Sequence, residues 1–145
     1  MNGVFQKIGE IDFGRFGVGP DNSPFDAVLL ENGNIVVALD DGLRDSDGDG
    51  FYDAGDVYGL IVDPLRFEPI SDEFLLSGTV AGGQNFARLA PTDDGGFIAI
   101  YESELVDGDG YAIAGRRFSE NGDPQTFEFI VNETTFGDQV GAEIL

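Results

Sequence analysis

Apolar residues along this chain come in short segments of three to five, broken by Gly, Asn, Asp and other polar residues. No unbroken apolar run exceeds the five residues Ile35–Leu39, and no segment sustains the 3.6-residue period of an amphipathic helix. Short apolar runs bounded by turn residues are the signal of strands. Asn32-Gly33 and Asp94-Gly95-Gly96 carry hairpin chemistry, because tight hairpins need positive φ and these residues tolerate it. The pattern predicts an almost wholly β chain.

Two stretches are versions of each other. Phe25–Leu39 lines up with Ala87–Tyr101, Asp47-Gly48-Asp49-Gly50 with Asp107-Gly108-Asp109-Gly110, Val57–Val62 with Ile113–Phe118, and Asp72–Ser77 with Phe127–Asn132. Gly137-Asp138-Gln139 echoes Gly82-Gly83-Gln84 and opens a third copy. The offset shrinks from 62 residues at Gly33 and Gly95 to 55 at Gln84 and Gln139, so the first unit carries insertions. One β-repeat domain over 1–145 is expected, divided into a partial unit (1–24), a first repeat (25–81), a second (82–136) and the start of a third (137–145). Each unit reads as four antiparallel strands. Helix-free units of this length point to β-propeller-like blades, with a β-sandwich as the alternative. Propellers need about four or more blades to close, and open β edges invite pairing. Self-association or stacking on neighbouring repeats is therefore expected.

Composition narrows the chemistry. The formal charge of -21, from 28 acidic residues against 7 basic ones, excludes nucleic acid as a natural partner, since phosphate binding needs clustered Lys and Arg. An apolar fraction of 41% with 13 Phe argues for a packed core over a disordered acidic tail. Without Cys or His there can be no thiol nucleophile, disulfide, ordinary zinc site or His general base. The apolar runs are too short for a helical membrane span. The opening residues lack a signal peptide's basic and apolar regions, so for an exported protein either this is an excised segment or the address lies elsewhere.

The acidic residues are not scattered evenly. In Asp45-Ser46-Asp47-Gly48-Asp49-Gly50-Phe51-Tyr52-Asp53-Ala54-Gly55-Asp56, carboxylates fall at places one, three, five, nine and twelve, with Gly at six. That is the oxygen-ligand spacing of a calcium loop, with the Phe51 carbonyl at place seven. Asp45, Asp47, Asp49, Phe51, Asp53 and Asp56 are the expected Ca2+ ligands. Asp56 stands where sensor loops carry Glu; its shorter reach, in an exposed loop, predicts weak binding on the order of 0.1–1 mM. A weaker second site is Asp107 and Asp109, with Glu102 and Glu104 folding back to complete the shell. An acidic, solvated turn is the competing reading of either stretch.

The string Asp94-Gly95-Gly96-Phe97-Ile98, Asp107–Phe118, Asn121-Gly122, Glu128–Asn132 and Gly137-Asp138-Gln139 resembles the tandem repeats of large secreted bacterial calcium-binding proteins, the haemolysin-type or RTX-related proteins and adhesins. The likeness is good over 82–145 and looser over 25–77, and no glycine-rich nonapeptide array accompanies it. It implies propeller-like, extracellular repeats. The Asp45–Asp56 loop separately resembles loops of dockerins, thrombospondin-type repeats and integrin-like propellers, where calcium lies between strands of a blade.

Other residues point to structural duties. Gln84 and Gln139 are expected to hydrogen-bond a loop backbone in each unit. Arg116 and Arg117 should face opposite sides of a strand, one pairing with carboxylates of the next unit. Phe97, Phe118, Phe127 and Phe129 are expected in the core. No serine lies in a nucleophile motif, and carboxylate pairs are too common here to mark a catalytic one. The favoured function is non-enzymatic: a calcium-stabilised structural or adhesive module of a secreted or cell-surface protein. A lectin-like propeller binding glycan is the alternative, and a calcium-dependent polysaccharide-degrading enzyme a third class. The acidic surface also fits adaptation to high salt.

Overall fold

The computed structural model describes residues 23–40 and 55–145. Among the described residues there is no helix, and the chain is all-β. Its strands are β1 (Ser23–Leu29), β2 (Ile35–Asp40), β3 (Val57–Asp63), β4 (Glu68–Pro69), β5 (Phe74–Leu75), β6 (Gln84–Pro91), β7 (Phe97–Glu104), β8 (Tyr111–Phe118) and β9 (Phe129–Ile130). They form two antiparallel sheets, each a meander in chain order: β1-β2-β3-β4 with β5 also on β3, and β6-β7-β8-β9. The sheets stack in two layers, as in a sandwich, with β6 against β1, β2 and β3.

The two sheets repeat in detail. In the β1–β2 hairpin the Leu30 N–H donates to the Asn34 carbonyl and the Gly33 N–H to the Leu30 carbonyl. In the β6–β7 hairpin Thr92 and Gly95 donate to Gly96 and Thr92 in the same way. Gly33 and Gly95 both sit at φ +86°, where a Cβ would crowd the backbone. The first strand of each sheet also has a register shift at matching places, between Pro24 and Asp26 and between Asn85 and Arg88.

The fourth strand of each unit is shorter than the sequence suggests. It breaks into two contacts on the third strand: Pro69 and Phe74-Leu75 in the first sheet, Pro124 and Phe129-Ile130 in the second. The physical reason is local. Proline has no N–H for the ladder, and a side-chain hydroxyl takes the place of a strand carbonyl. The Ile61 N–H donates to Ser71 Oγ at 2.9 Å, and the Arg117 N–H to Thr126 Oγ1 at 3.0 Å.

Between the layers lies the main core, with Val36, Ala38, Val57 and Ile61 from the first sheet and Phe97, Ala99, Tyr101 and Phe118 from the second. Phe97 and Phe118 stack with centroids 5.0 Å apart, and Phe74 leans on both. Phe74 also covers Gly59 across the strand pair, as Phe129 covers Gly115. The opposite face of the first sheet buries Val37, Leu39, Leu60 and Val62 as well. Burial on both faces explains why Ile35–Leu39 is a continuous apolar run, not an alternating one.

Phe127 departs from expectation: it is 92% exposed, while Phe129 is only partly covered. The phase of this short strand turns Glu128 inward to meet the Tyr101 hydroxyl, which leaves Phe127 outside. Among the described residues no helix is long and apolar enough to cross a membrane.

Candidate functional site

The acidic loop joins β2 to β3. Asp45, Asp47, Asp49, Phe51 and Asp53 lie outside the described residues, as do Asp41 and Gly42 and nearly all of the partial unit at 1–24. Asp56, the last place of the loop, is described. It is 2% exposed, directly before β3, with the Tyr58 hydroxyl 3.5 Å from its Oδ2. The last place of the loop thus lies inside the protein. Its neighbour Gly55 accepts a 2.8 Å hydrogen bond from the Gln84 N–H at the start of β6. The end of the loop therefore sits at the joint between the units.

That joint recurs. Gln139 donates its N–H to the Tyr111 carbonyl at 2.6 Å, as Gln84 does to Gly55. Gln84 Nε2 donates to the carbonyls of Ala81 and Gly82, and Gln139 Nε2 to those of Phe136 and Gly137. Both glutamines hold the tight bend that precedes them, in agreement with the sequence reading. Residues 139–141 consequently meet the second sheet as 84–86 meet the first. Glu102 Oε1 accepts the Gly141 N–H at 2.7 Å.

The second acidic turn is engaged with the protein's own N–H groups. Asp107 Oδ2 accepts from Asn132 Nδ2 at 3.1 Å, Asp109 Oδ2 from the Gly137 N–H at 3.0 Å, and Asp107 Oδ1 from the Asp109 N–H. Asp138 Oδ1 accepts the Tyr111 N–H at 3.0 Å. Glu102 and Glu104 do not fold back onto this turn. Glu104 Oε2 takes the Gly83 N–H at 3.1 Å, because backbone donors at the two bends lie nearer. Among the described residues no group of three or more acidic side chains is arranged to hold a metal.

A second network fastens the layers to each other. Glu128 accepts from the Tyr101 hydroxyl at 2.6 Å, from Thr79 Oγ1 at 2.7 Å and from the Gly78 N–H at 2.8 Å. Burial works against its charge, yet these donors outweigh it and hold the carboxyl below its ordinary value. Tyr101 is pushed far up, first by burial and then by the Glu128 carboxylate. Arg116 and Arg117 do face opposite ways. Arg116 reaches the Ser77 and Thr126 carbonyls, and Arg117 pairs with Asp94 of its own sheet at 2.9 Å. The expected pairing with carboxylates of the next unit is thus replaced by backbone oxygens, which stand nearer to the guanidinium.

The outer face of the second sheet carries a groove of about 520 Å³, lined by Phe86, Arg88, Glu102 and residues 140–143. Sequence reasoning passed over Asn132, Glu128 and Asp138. The first could have been found by noting that the repeat alignment sets Asn132 against Ser77. No family model, curated protein or solved structure matches this chain.

Proposed function

We propose that this chain is a calcium-stabilised, non-enzymatic β-repeat module of a secreted or cell-surface protein, serving adhesion or matrix assembly by stacking on neighbouring repeats or on copies of itself. The units run 25–81 and 82–136, with 137–145 opening the next. The observation that carries this reading is the repeated joint: the same glutamine clasp closes the first unit onto the second and the second onto residues 139–145. Stacking by one recurring joint is how repeat proteins extend. Phe86 and Val140, about half exposed, give the outer face of the second sheet apolar surface to cover.

The calcium ligands in this reading are Asp45, Asp47, Asp49, Asp53 and Asp56 with the Phe51 carbonyl; Asp107 and Asp109 form a lesser site. What supports the first is the ligand spacing together with the burial of Asp56 at the joint, where one cation would offset a crowded set of carboxylates. Calorimetric titration with calcium tests it. The wild type should bind one ion with a dissociation constant on the order of 0.1–1 mM, and Asp47→Ala should lose that heat. A wild type that gives no calcium heat contradicts the reading.

A further inference from the structure

Each sheet turns one face back toward the unit before it and one forward toward the unit after it. On the first sheet the forward face carries Val36, Ala38, Val57 and Ile61, all buried beneath the second sheet. Phe74 and Leu76 complete it. The Phe74 ring centroid lies 6.3 Å from that of Phe97 and 5.9 Å from that of Phe118, and Leu76 is 0% exposed. The repeat alignment sets Ile98, Ile100, Ile113, Phe129 and Val131 at the same places on the second sheet. Their hydrogen bonds match as well, since the Val131 N–H donates to the Ile113 carbonyl as the Leu76 N–H does to that of Val57.

The two forward faces are nevertheless covered differently. Val131 is 47% exposed where Leu76 is 0%, and Phe129 is 38% exposed. Residues 140–143 line part of the second face and leave the groove of about 520 Å³ beside Phe86, which holds a left-handed φ of +56° while 49% exposed. An apolar face left open, beside a covered twin, marks a contact surface. Arg117, paired with Asp94, stands in the place of Ile61 and gives this face a polar rim, as contacts between molecules have. The backward face of the first sheet is closed, with Val37, Leu39, Leu60 and Val62 all buried. A copy arriving head to tail finds no seat there. Among the described residues, the sheet face a copy has left to offer is its own forward one.

We propose that a second copy of this chain covers the forward face of the second sheet with the same face of its own, closing a two-fold pair around Phe86, Phe129, Val131 and Val140. This names the partner in the stacking part of the reading above and rests on that part, not on calcium. Charge suits self-pairing. Arg88 and Glu143 both line the groove. Among the described residues the Arg88 guanidinium bonds only the Ala87 carbonyl, at 3.2 Å. Across a two-fold axis each contact is returned, so Arg88 of either copy faces Glu143 of the other. In a chain of net charge -21, a guanidinium without a carboxylate of its own offsets part of the repulsion between copies.

Sedimentation velocity of the full chain over a concentration series, in chelator, tests the pair. The wild type should show a monomer–dimer equilibrium and grow no further. Val131→Glu and Val140→Glu should each raise the dimer dissociation constant by at least about tenfold, the scale of a central interface residue. Leu65→Glu, at an exposed apolar residue of the first unit, should leave it unchanged. Arg88→Glu should weaken the dimer, and adding Glu143→Arg to it should restore the pair, which a merely damaged fold would not do. A wild type that stays monomeric at every concentration overturns the pair and leaves stacking on neighbouring repeats standing. Association that Val131→Glu and Val140→Glu leave untouched, or that grows beyond the dimer, also overturns it, while stacking of copies by another face stands. Should Val131→Glu fail to fold, Val140→Glu, which lies outside the strands, decides.

Discussion

Glu128 and Tyr101 place a charge and a buried phenol in one hydrogen bond at the edge of the core. Tyr101 is 1% exposed, so Tyr101→Phe should cost about 1.5–3 kcal/mol, the net value of a hydrogen bond to a charged partner, measured by urea unfolding at neutral pH. The pair also sets a pH dependence. The Glu128 carboxyl is held below its ordinary value of 4.5, so its contribution is full above that value and lost as pH falls through the lowered one. Tyr101 is raised above its ordinary value of 10.0, so its contribution is full below pH 10.0 and lost as pH rises beyond it. Glu128→Gln should flatten the acid limb of a stability-against-pH curve relative to the wild type. At this scale the sequence disclosed the glutamines, because each recurs with the same spacing from a Gly pair or Gly-Asp. It did not disclose Glu128: a period of two in so short a strand leaves the phase open, and Phe127 was the more apolar choice for the inside.

The hairpins show which elements turn chemistry alone could place. Gly33 and Gly95 share φ +86° and the same hydrogen-bond pattern, with no atom within 4 Å of a built Cβ. Space is therefore no obstacle, and only the backbone conformation resists substitution. Gly33→Val and Gly95→Val should each cost about 1–3 kcal/mol, and by similar amounts, in denaturant titrations. Gly59 is a different case: a Cβ there would stand 2.5 Å from the Phe74 ring. Gly59→Ala should destabilise mainly by displacing Phe74 from Phe97 and Phe118, so pairing it with Phe74→Leu should restore part of the loss. The first three strands of each unit were legible because apolar runs and turns alternate cleanly. The broken fourth strand was not, since the replacement of a carbonyl by Ser71 or Thr126 leaves no periodic trace. Nor did the apolar count reveal that the first sheet is covered on both faces.

At the scale of the whole molecule, the described residues form a stack of two similar sheets, joined by a clasp that recurs at residues 139–141. The repeat alignment carried the two similar all-β units, with equal turns, register shifts and clasps at the aligned positions. Their packing in two layers, however, is that of the sandwich alternative and not of the favoured propeller-like blades. What the alignment could not supply was the burial of Asp56, which acquires meaning only where strands from two units meet. The central claim is that calcium, and not salt in general, stabilises this stack. Melting in 10 mM calcium chloride, set against chelator and against sodium chloride of matched ionic strength, tests it most directly. With a dissociation constant of about 0.1–1 mM, binding to the folded form alone adds about 1.4–2.7 kcal/mol. That corresponds to a rise of roughly 3–10 °C for a chain of this size. A melting temperature that rises by this amount in calcium and stays put in matched sodium chloride is the predicted result. Equal rises in both salts, or none in calcium, would contradict the account.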